Sequence, residues 1–248
     1  MARNIMIGCP VRNRGWILPR YLECLSNQDY PSELLRYCFI VNDCIDTTPN
    51  LLADFARDKP GQVKIIEQNQ GSYQSKSHMR GYYLFTHLAS LRNILLTAFL
   101  ESDCEYLFSV DSDILLPPYA LNYLLEDDFR IISALVCNGH EMGDLGIYNI
   151  LKHESDGTWR YIRDFPRNRV FEVDCSGAVF LLKREVIERY GIRYSAAYGS
   201  EDIGFCIAAA AKGLKIFCDG RVEGEHYMRE TQLKNGAGNH ILQPILIQ

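Results

Sequence analysis

Tyr106-Leu107-Phe108-Ser109-Val110-Asp111-Ser112-Asp113-Ile114-Leu115-Leu116 is the stretch on which the fold turns. Its first five residues predict a buried strand, and the strand ends on two carboxylates separated by one serine. A second apolar run follows at once, so both acids belong to a strand end. Asp and Ser at such a place can simply cap backbone N–H groups in a turn. They are also hard oxygen donors suited to Mg²⁺ or Mn²⁺, and such an ion can bridge a diphosphate.

Upstream, short β-rich runs alternate with helical patterns. Strands are expected at residues 5–11, 37–41 and 63–66, and helices at 16–26, from Thr48-Pro49 onward, and at 87–100. Residues 68–81 are polar and without periodicity, which predicts a long loop able to act as a lid. This alternation predicts βαβ units and a mostly parallel, Rossmann-like α/β sheet flanked by helices. Ligands of such sheets bind beyond the carboxyl ends of the strands, which draws attention to Arg12, Asp43, Asp111 and Asp113.

Downstream, a short helix is expected after Pro117-Pro118, a strand at 131–136 and a loop at 138–146. A hairpin is expected around Asp156-Gly157, with strands at 170–173 and 178–182. A helix at 184–190, a loop at 194–200, a helix at 201–212 and a last strand at 215–218 complete the pattern. The chain after His226 shows no clear pattern. With no repeat or linker in sight, 1–248 is read as one domain. Residues 1–113 are read as its first half, 114–227 as its second and 228–248 as a tail.

Composition narrows the function classes. The 248 residues are 47% hydrophobic and 23% charged, as in an ordinary soluble protein with a sizeable core. A net charge of -5 argues against binding nucleic acid through a basic face. No apolar run approaches the roughly 20 residues a membrane span needs, and 5–11 is too short for a secretory core. The 9 cysteines are scattered without C-x-x-C spacing, which suits small buried hydrophobes in a reducing compartment. The expected location is the cytoplasm, with peripheral association at a membrane surface allowed.

Three further groups could carry chemistry. Glu201-Asp202 opens an Ala-rich helix behind Ser200, where acids also favour the helix dipole and Ser is a good cap. His226 follows the last strand, and an imidazole near the first pair of acids would suit Mn²⁺ better than Ca²⁺. Arg92 lies beside the apolar face at Leu91 and Leu95, where its head could meet a phosphate or simply face solvent.

The order of these elements resembles the GT-A nucleotide-sugar glycosyltransferases, especially the large inverting family 2. Pro10-Val11-Arg12-Asn13-Arg14 is similar to that family's opening strand, and Val41-Asn42-Asp43 to its second-strand segment. Leu91-Arg92-Asn93 resembles its Ala-Arg-Asn segment, and Asp111-Ser112-Asp113 its Asp-x-Asp signature. Ser176-Gly177-Ala178 looks like its sugar-side strand, and Gly199-Ser200-Glu201-Asp202 like its acidic segment. The start Asp111-Ser112-Asp113-Ile114 before Pro117-Pro118, and Cys175-Ser176-Gly177-Ala178-Val179, also resemble the Anp1-like mannosyltransferases. Asn42-Asp43-Cys44 departs from the two acids and Gly usual in family 2, and residues 68–81 replace a shorter stretch.

The resemblance implies transfer of a sugar from a UDP- or GDP-sugar to a hydroxyl of a glycan, lipid-linked or protein acceptor. Asp113, with His226 and Asp111, would hold Mn²⁺ or Mg²⁺. Pro10, Arg12, Asp43, Arg92, Asp111, Ser112, Gly177 and Ala178 would bind the donor, with Asp43 on the base and Arg92 on phosphate. Asp202 would be the general base of an inverting reaction, and Glu201 would orient the acceptor or share that role, with residues 1–113 as the nucleotide-binding half and 114–227 as the acceptor and catalytic half. Rival readings are a phosphatase, for which Leu115 is the wrong residue after Asp-x-Asp-x, and a nucleotidyltransferase, for which Gly8-Cys9-Pro10-Val11-Arg12 lacks a Gly-rich loop. A non-catalytic nucleotide- or glycan-binding module of the same fold is the third.

Overall fold

Four parallel strands build the first half of a nine-stranded sheet. The computed structural model describes residues 3–69, 71 and 84–234. β1 (Ile5–Val11), α1 (Leu18–Ser26), β2 (Leu35–Val41), α2 (Thr48–Asp58), β3 (Val63–Glu67), α3 (Phe85–Leu100) and β4 (Tyr106–Val110) alternate as expected. β1 pairs in parallel with both β2 and β4, and β2 with β3, so all four carboxyl ends share one edge. β1 and β4 are almost wholly buried because helices cover both faces of a parallel sheet. Helix α1 begins at Leu18, two residues later than expected, because the Arg14 carbonyl accepts from the N–H groups of Ile17 and Leu18 in a preceding turn.

The second half comprises β5 (Ile114–Leu115), α4 (Ala120–Glu126), β6 (Ile131–Val136), α5 (Gly139–Met142), β7 (Leu151–His153) and β8 (Trp159–Tyr161). It continues with β9 (Val170–Val173), β10 (Val179–Lys183), α6 (Arg184–Glu188), α7 (Glu201–Ala211), β11 (Ile216–His226) and α8 (Glu230–Lys234). The sheet runs β3-β2-β1-β4-β10-β6-β11-β5, with β9 also on β11, and β7–β8 form a separate hairpin. β10 is antiparallel to β4 and β6, while β6 and β11 are parallel. The amino end of β10 therefore meets the carboxyl end of β4, where the Asp111 N–H donates to the Ala178 carbonyl at 2.9 Å.

Each face of the sheet carries its own core. Leu91, Leu95 and Phe99 of α3 pack with Phe205 of α7 on one side. Leu18 and Tyr21 of α1, Leu52 of α2 and Leu121 of α4 fill the other.

Three expectations are corrected. Residues 138–146 are not all loop, since α5 occupies the middle and ends on Gly143 at φ 71. The last strand does not stop at 218 but runs to His226. Its continuation was hidden by Gly220 and Gly224, which interrupt the apolar pattern, and by an irregularity between Asp219 and Glu223. Gly224 is needed there, because a Cβ would sit 2.7 Å from Ile114 Cγ2. The segment after His226 carries the short helix α8. Most of the expected lid at 68–81, and 235–248 of the tail, lie outside the described residues.

Candidate active site

The end of β4 is held firmly. Tyr21 donates its hydroxyl to the Val110 carbonyl at 2.6 Å, and the Ile114 N–H closes a turn onto the Asp111 carbonyl at 3.0 Å. Ser112 and Asp113 lie buried in that turn. The long β11 then returns alongside. His226 pairs in register with Ile114, and the Tyr227 N–H donates to the Asp113 carbonyl at 2.9 Å. This pairing brings His226 Nε2 to 3.8 Å from Asp113 Oδ1.

Helix α7 delivers the second pair of acids to the same place. Ser200 caps it, its hydroxyl accepting the Ile203 N–H. Glu201 turns inward and accepts from Arg92 Nε at 3.2 Å. Arg92 Nη2 reaches both Asp111 oxygens, at 2.8 and 3.0 Å, and its guanidinium lies 5.4 Å from the Tyr194 ring centroid. Burial alone would lower the Arg92 pKa, but Asp111, Asp202 and Glu201 together hold it well above the ordinary value. Arg92 thus ties α3, β4 and α7 together as a buried cation between carboxylates, and it also borders the cleft. Glu201 likewise faces Arg92 while lining the cleft.

Asp202 lies against backbone. A Cβ on Gly177 would sit 2.2 Å from Asp202 Oδ2, so only glycine lets the carboxylate approach this closely. Ala178, next to Gly177, has φ 65, a left-handed conformation costing an L-residue roughly 1–2 kcal/mol. Asp202 Oδ1 is buried without a hydrogen-bond partner among the described residues. Burial, and then the charge of Glu201, push the Asp202 carboxyl well above its usual range against the pull of Arg92. Asn149, which carried no signal in the sequence, supports this corner. Its Nδ2 donates to the Gly177 carbonyl at 2.7 Å and its Oδ1 accepts the Val136 N–H at 2.8 Å.

These groups line one cleft of about 490 Å³ at the carboxyl edge of the sheet, within the range of roughly 300–1,000 Å³ usual for ligand pockets. Pro10, Arg12, Arg92, Asp111, Ser112, Asp113, Gly177, Ala178, Glu201, Asp202 and His226 all border it. Asp43 does not, although its neighbour Asn42 does. The Asp43 carboxylate accepts from the Gly71 N–H at 3.0 Å, at φ 41, just outside the wall. Arg14 also lines the cleft and pairs with Asp113 Oδ2 at 2.8 Å. Its signal was present in Arg12-Asn13-Arg14, a second cation just past the first strand end.

The donor set suits a Mg²⁺- or Mn²⁺-type ion. Among the described residues no three His, Cys, Asp or Glu side chains form a closed cage. A site with one or two protein donors, completed by substrate phosphates, is how such ions are commonly held. Asp113 Oδ1 and His226 Nε2 lie 3.8 Å apart on the wall of the cleft.

Comparison with known proteins agrees with the geometry. Human procollagen-lysine,2-oxoglutarate 5-dioxygenase 2 is 28% identical over 136 residues, which is 54% of this chain and 17% of that protein. Procollagen galactosyltransferase 1-A of Xenopus laevis is 23% identical over 144 residues, 54% of this chain and 23% of that protein. The chain therefore spans about a fifth of the length of these relatives. The crystal structure of GalNAc-T7 with UDP, GalNAc and Mn²⁺ superposes with a TM-score of 0.68 at 14% identity, covering 91% of this chain and 44% of that one. The fold is thus the GT-A fold. The Anp1 family model matches residues 1–150, more than half of the sequence, and the chain belongs to the Anp1 family.

Proposed function

We propose that the protein is a metal-dependent glycosyltransferase that moves a sugar from a UDP- or GDP-sugar to a hydroxyl of a glycan, lipid-linked or protein acceptor. The observation that carries this reading is the convergence of Asp111, Asp113, Glu201, Asp202 and His226 on one cleft. GalNAc-T7, of the same fold, was crystallised with UDP, GalNAc and Mn²⁺, and one sequence relative is named a galactosyltransferase.

Asp113 and His226 would hold the cation, with Asp111 turned towards Arg92 beside them. When bound, a Mn²⁺ or Mg²⁺ ion supplies Lewis-acid stabilisation of the departing diphosphate. Ser112, Pro10 and Arg12 form the donor wall with Asn42 at its outer end, and Asp43, next to Asn42 just outside that wall, would meet the base. The strained Gly177-Ala178 backbone faces the donor sugar. In the reaction the acceptor oxygen bonds to the anomeric carbon as the bond to the diphosphate breaks. The acceptor proton passes to Asp202, whose raised pKa makes it a stronger base once ionised. Attack by the acceptor oxygen from the face opposite the leaving group, with Asp202 taking its proton, gives inversion. Glu201 acts one step back, holding Arg92 in place.

The test is a thermal-shift panel of UDP- and GDP-sugars with and without Mn²⁺, followed by transfer assays. Ligand at about a hundred times its Kd adds roughly 2.7 kcal/mol to stability, so the true donor stands out. Asp202→Asn should bind that donor normally and fail to transfer, and Asp113→Ala should lose the Mn²⁺-dependent shift. An Asp202→Asn protein with unchanged turnover refutes the base assignment.

A further inference from the structure

Arg14 stands on the opposite side of Asp113 from His226. Its Nη2 donates to Oδ2 at 2.8 Å, while His226 Nε2 lies 3.8 Å from Oδ1. Both partners of this ion pair are largely buried, with side chains 13% and 11% exposed. Arg14 Nε is buried with no hydrogen-bond partner among the described residues, so the guanidinium has donor capacity left over.

The turn that carries Arg14 is a fixed mount. The Arg14 N–H donates to Thr48 Oγ1 at 2.8 Å, and the Gly15 N–H to Asp46 Oδ2 at 2.8 Å. Asn13, at φ 50, accepts the Ile45 N–H at 2.9 Å. A Cβ on Gly15 would meet Thr47 Oγ1 at 2.5 Å. Two loops, after β1 and after β2, thus lock together to set one cation on the carboxylate proposed to bind another.

We propose that Arg14 is a positioning residue that makes the cation site depend on the diphosphate. It occupies one oxygen of Asp113 and leaves the other facing His226. Its positive charge repels a divalent ion that arrives alone. A nucleoside diphosphate carries enough negative charge to hold both cations, so metal and nucleotide bind as a pair. The inference rests on the glycosyltransferase reading and adds to it a residue and an order of binding.

The test measures free Mn²⁺ by electron paramagnetic resonance in titrations of the whole chain, with no nucleotide, with UDP and with GDP. The wild type should bind Mn²⁺ weakly alone and at least tenfold more tightly with one of the nucleotides. Arg14→Gln keeps a donor near Asp113 and removes the charge. It should bind Mn²⁺ alone about tenfold more tightly, the size of a unit charge opposing a divalent one at close range under water-like screening. Its gain on adding nucleotide should shrink, and Arg14→Lys should restore the wild-type pattern. Arg14→Met serves if the glutamine variant does not fold. Arg14→Gln with unchanged or weaker Mn²⁺ binding and an intact nucleotide gain overturns the inference and leaves the glycosyltransferase reading standing. A wild type that binds no Mn²⁺ even with UDP or GDP overturns both.

Discussion

Gly177→Ala probes the closest approach in the cleft. The added Cβ would lie 2.2 Å from Asp202 Oδ2, 2.8 Å from its Cγ and 3.3 Å from its Cβ. An ordinary carbon–oxygen contact is roughly 3.4 Å, so the carboxylate must retreat by about 1 Å. The retreat is hindered, because Asp202 lies in the first turn of α7, whose start is pinned by the Ser200 cap and the Glu201–Arg92 pair. Overpacking of this kind costs about 1–3 kcal/mol. A base displaced by about 1 Å loses on the order of a hundredfold in rate. Turnover should therefore fall by about two orders of magnitude while UDP- or GDP-sugar binding changes little. The stability cost has an internal control. In an Asp202→Ala background the atoms that clash are gone, so Gly177→Ala should then add almost nothing to the destabilisation. Urea unfolding of the four proteins in this cycle reads the coupling directly. A Gly177→Ala enzyme within a few-fold of wild-type turnover, or a cycle in which the two costs simply add, would refute the contact as the reason for glycine.

Three other outcomes follow from the same corner. In the metal-free protein Asp202 retains its proton in the folded state over a pH range where the unfolded chain, with an ordinary carboxylate near 3.8, has lost it. Stability therefore falls as pH rises through that window. Asp202→Asn removes this component, so its Tm should exceed the wild type by a margin that is small near pH 4.5 and widens towards pH 8. Glu201→Gln keeps a hydrogen bond to Arg92 but leaves the buried cation with Asp111 as its direct carboxylate partner, which should cost about 1–3 kcal/mol in urea unfolding. Ala178→Gly relieves a left-handed conformation at φ 65 worth roughly 1–2 kcal/mol and adds unfolded-state entropy of about 0.5–1 kcal/mol. The variant should match or slightly exceed wild-type stability, and a loss beyond about 1 kcal/mol would contradict the strain.

The half of the fold made from βαβ units was legible because strand and helix periods differ and each run is local. β1, β3, α3 and β4 fall within a residue or two of their expected ends, and α2 starts where Thr48-Pro49 placed it. The rest was harder because its signals are not local. β11 crosses two glycines and a bulge, and what makes it a strand is pairing with β6, β9 and β5. The same pairing sets His226 beside Asp113, which spacing alone could never establish. Arg92 was recognisable as special, but its partners were not. A helix-borne arginine beside an apolar stripe reads equally as a phosphate contact or a solvent-facing charge, and only the packing of α7 against α3 puts Glu201 within reach of its Nε. Asn149 had no signal because its task is to satisfy backbone groups of other segments.

The distribution of cost across the sheet supports the location of the site. At the carboxyl edge the protein tolerates a left-handed alanine, a carboxylate oxygen without a partner among the described residues and a guanidinium sunk among acids. The opposite edge is satisfied in comparison. There Asp128 accepts from Lys183 Nζ at 2.6 Å and also from Arg3 and Tyr106, and against burial these hold its carboxyl below the usual range. Nearby, Arg184 closes the end of α3 by donating to the carbonyls of Phe99, Leu100, Ser102 and Cys104. A left-handed backbone occurs at both edges, since Asp128 has φ 55, but a chain selected for stability alone would have no reason to concentrate unpaired polar atoms at one edge and satisfy those of the other. Groups that must meet a charged ligand and carry a proton give that reason, because the partners missing from the folded chain are those a ligand would bring.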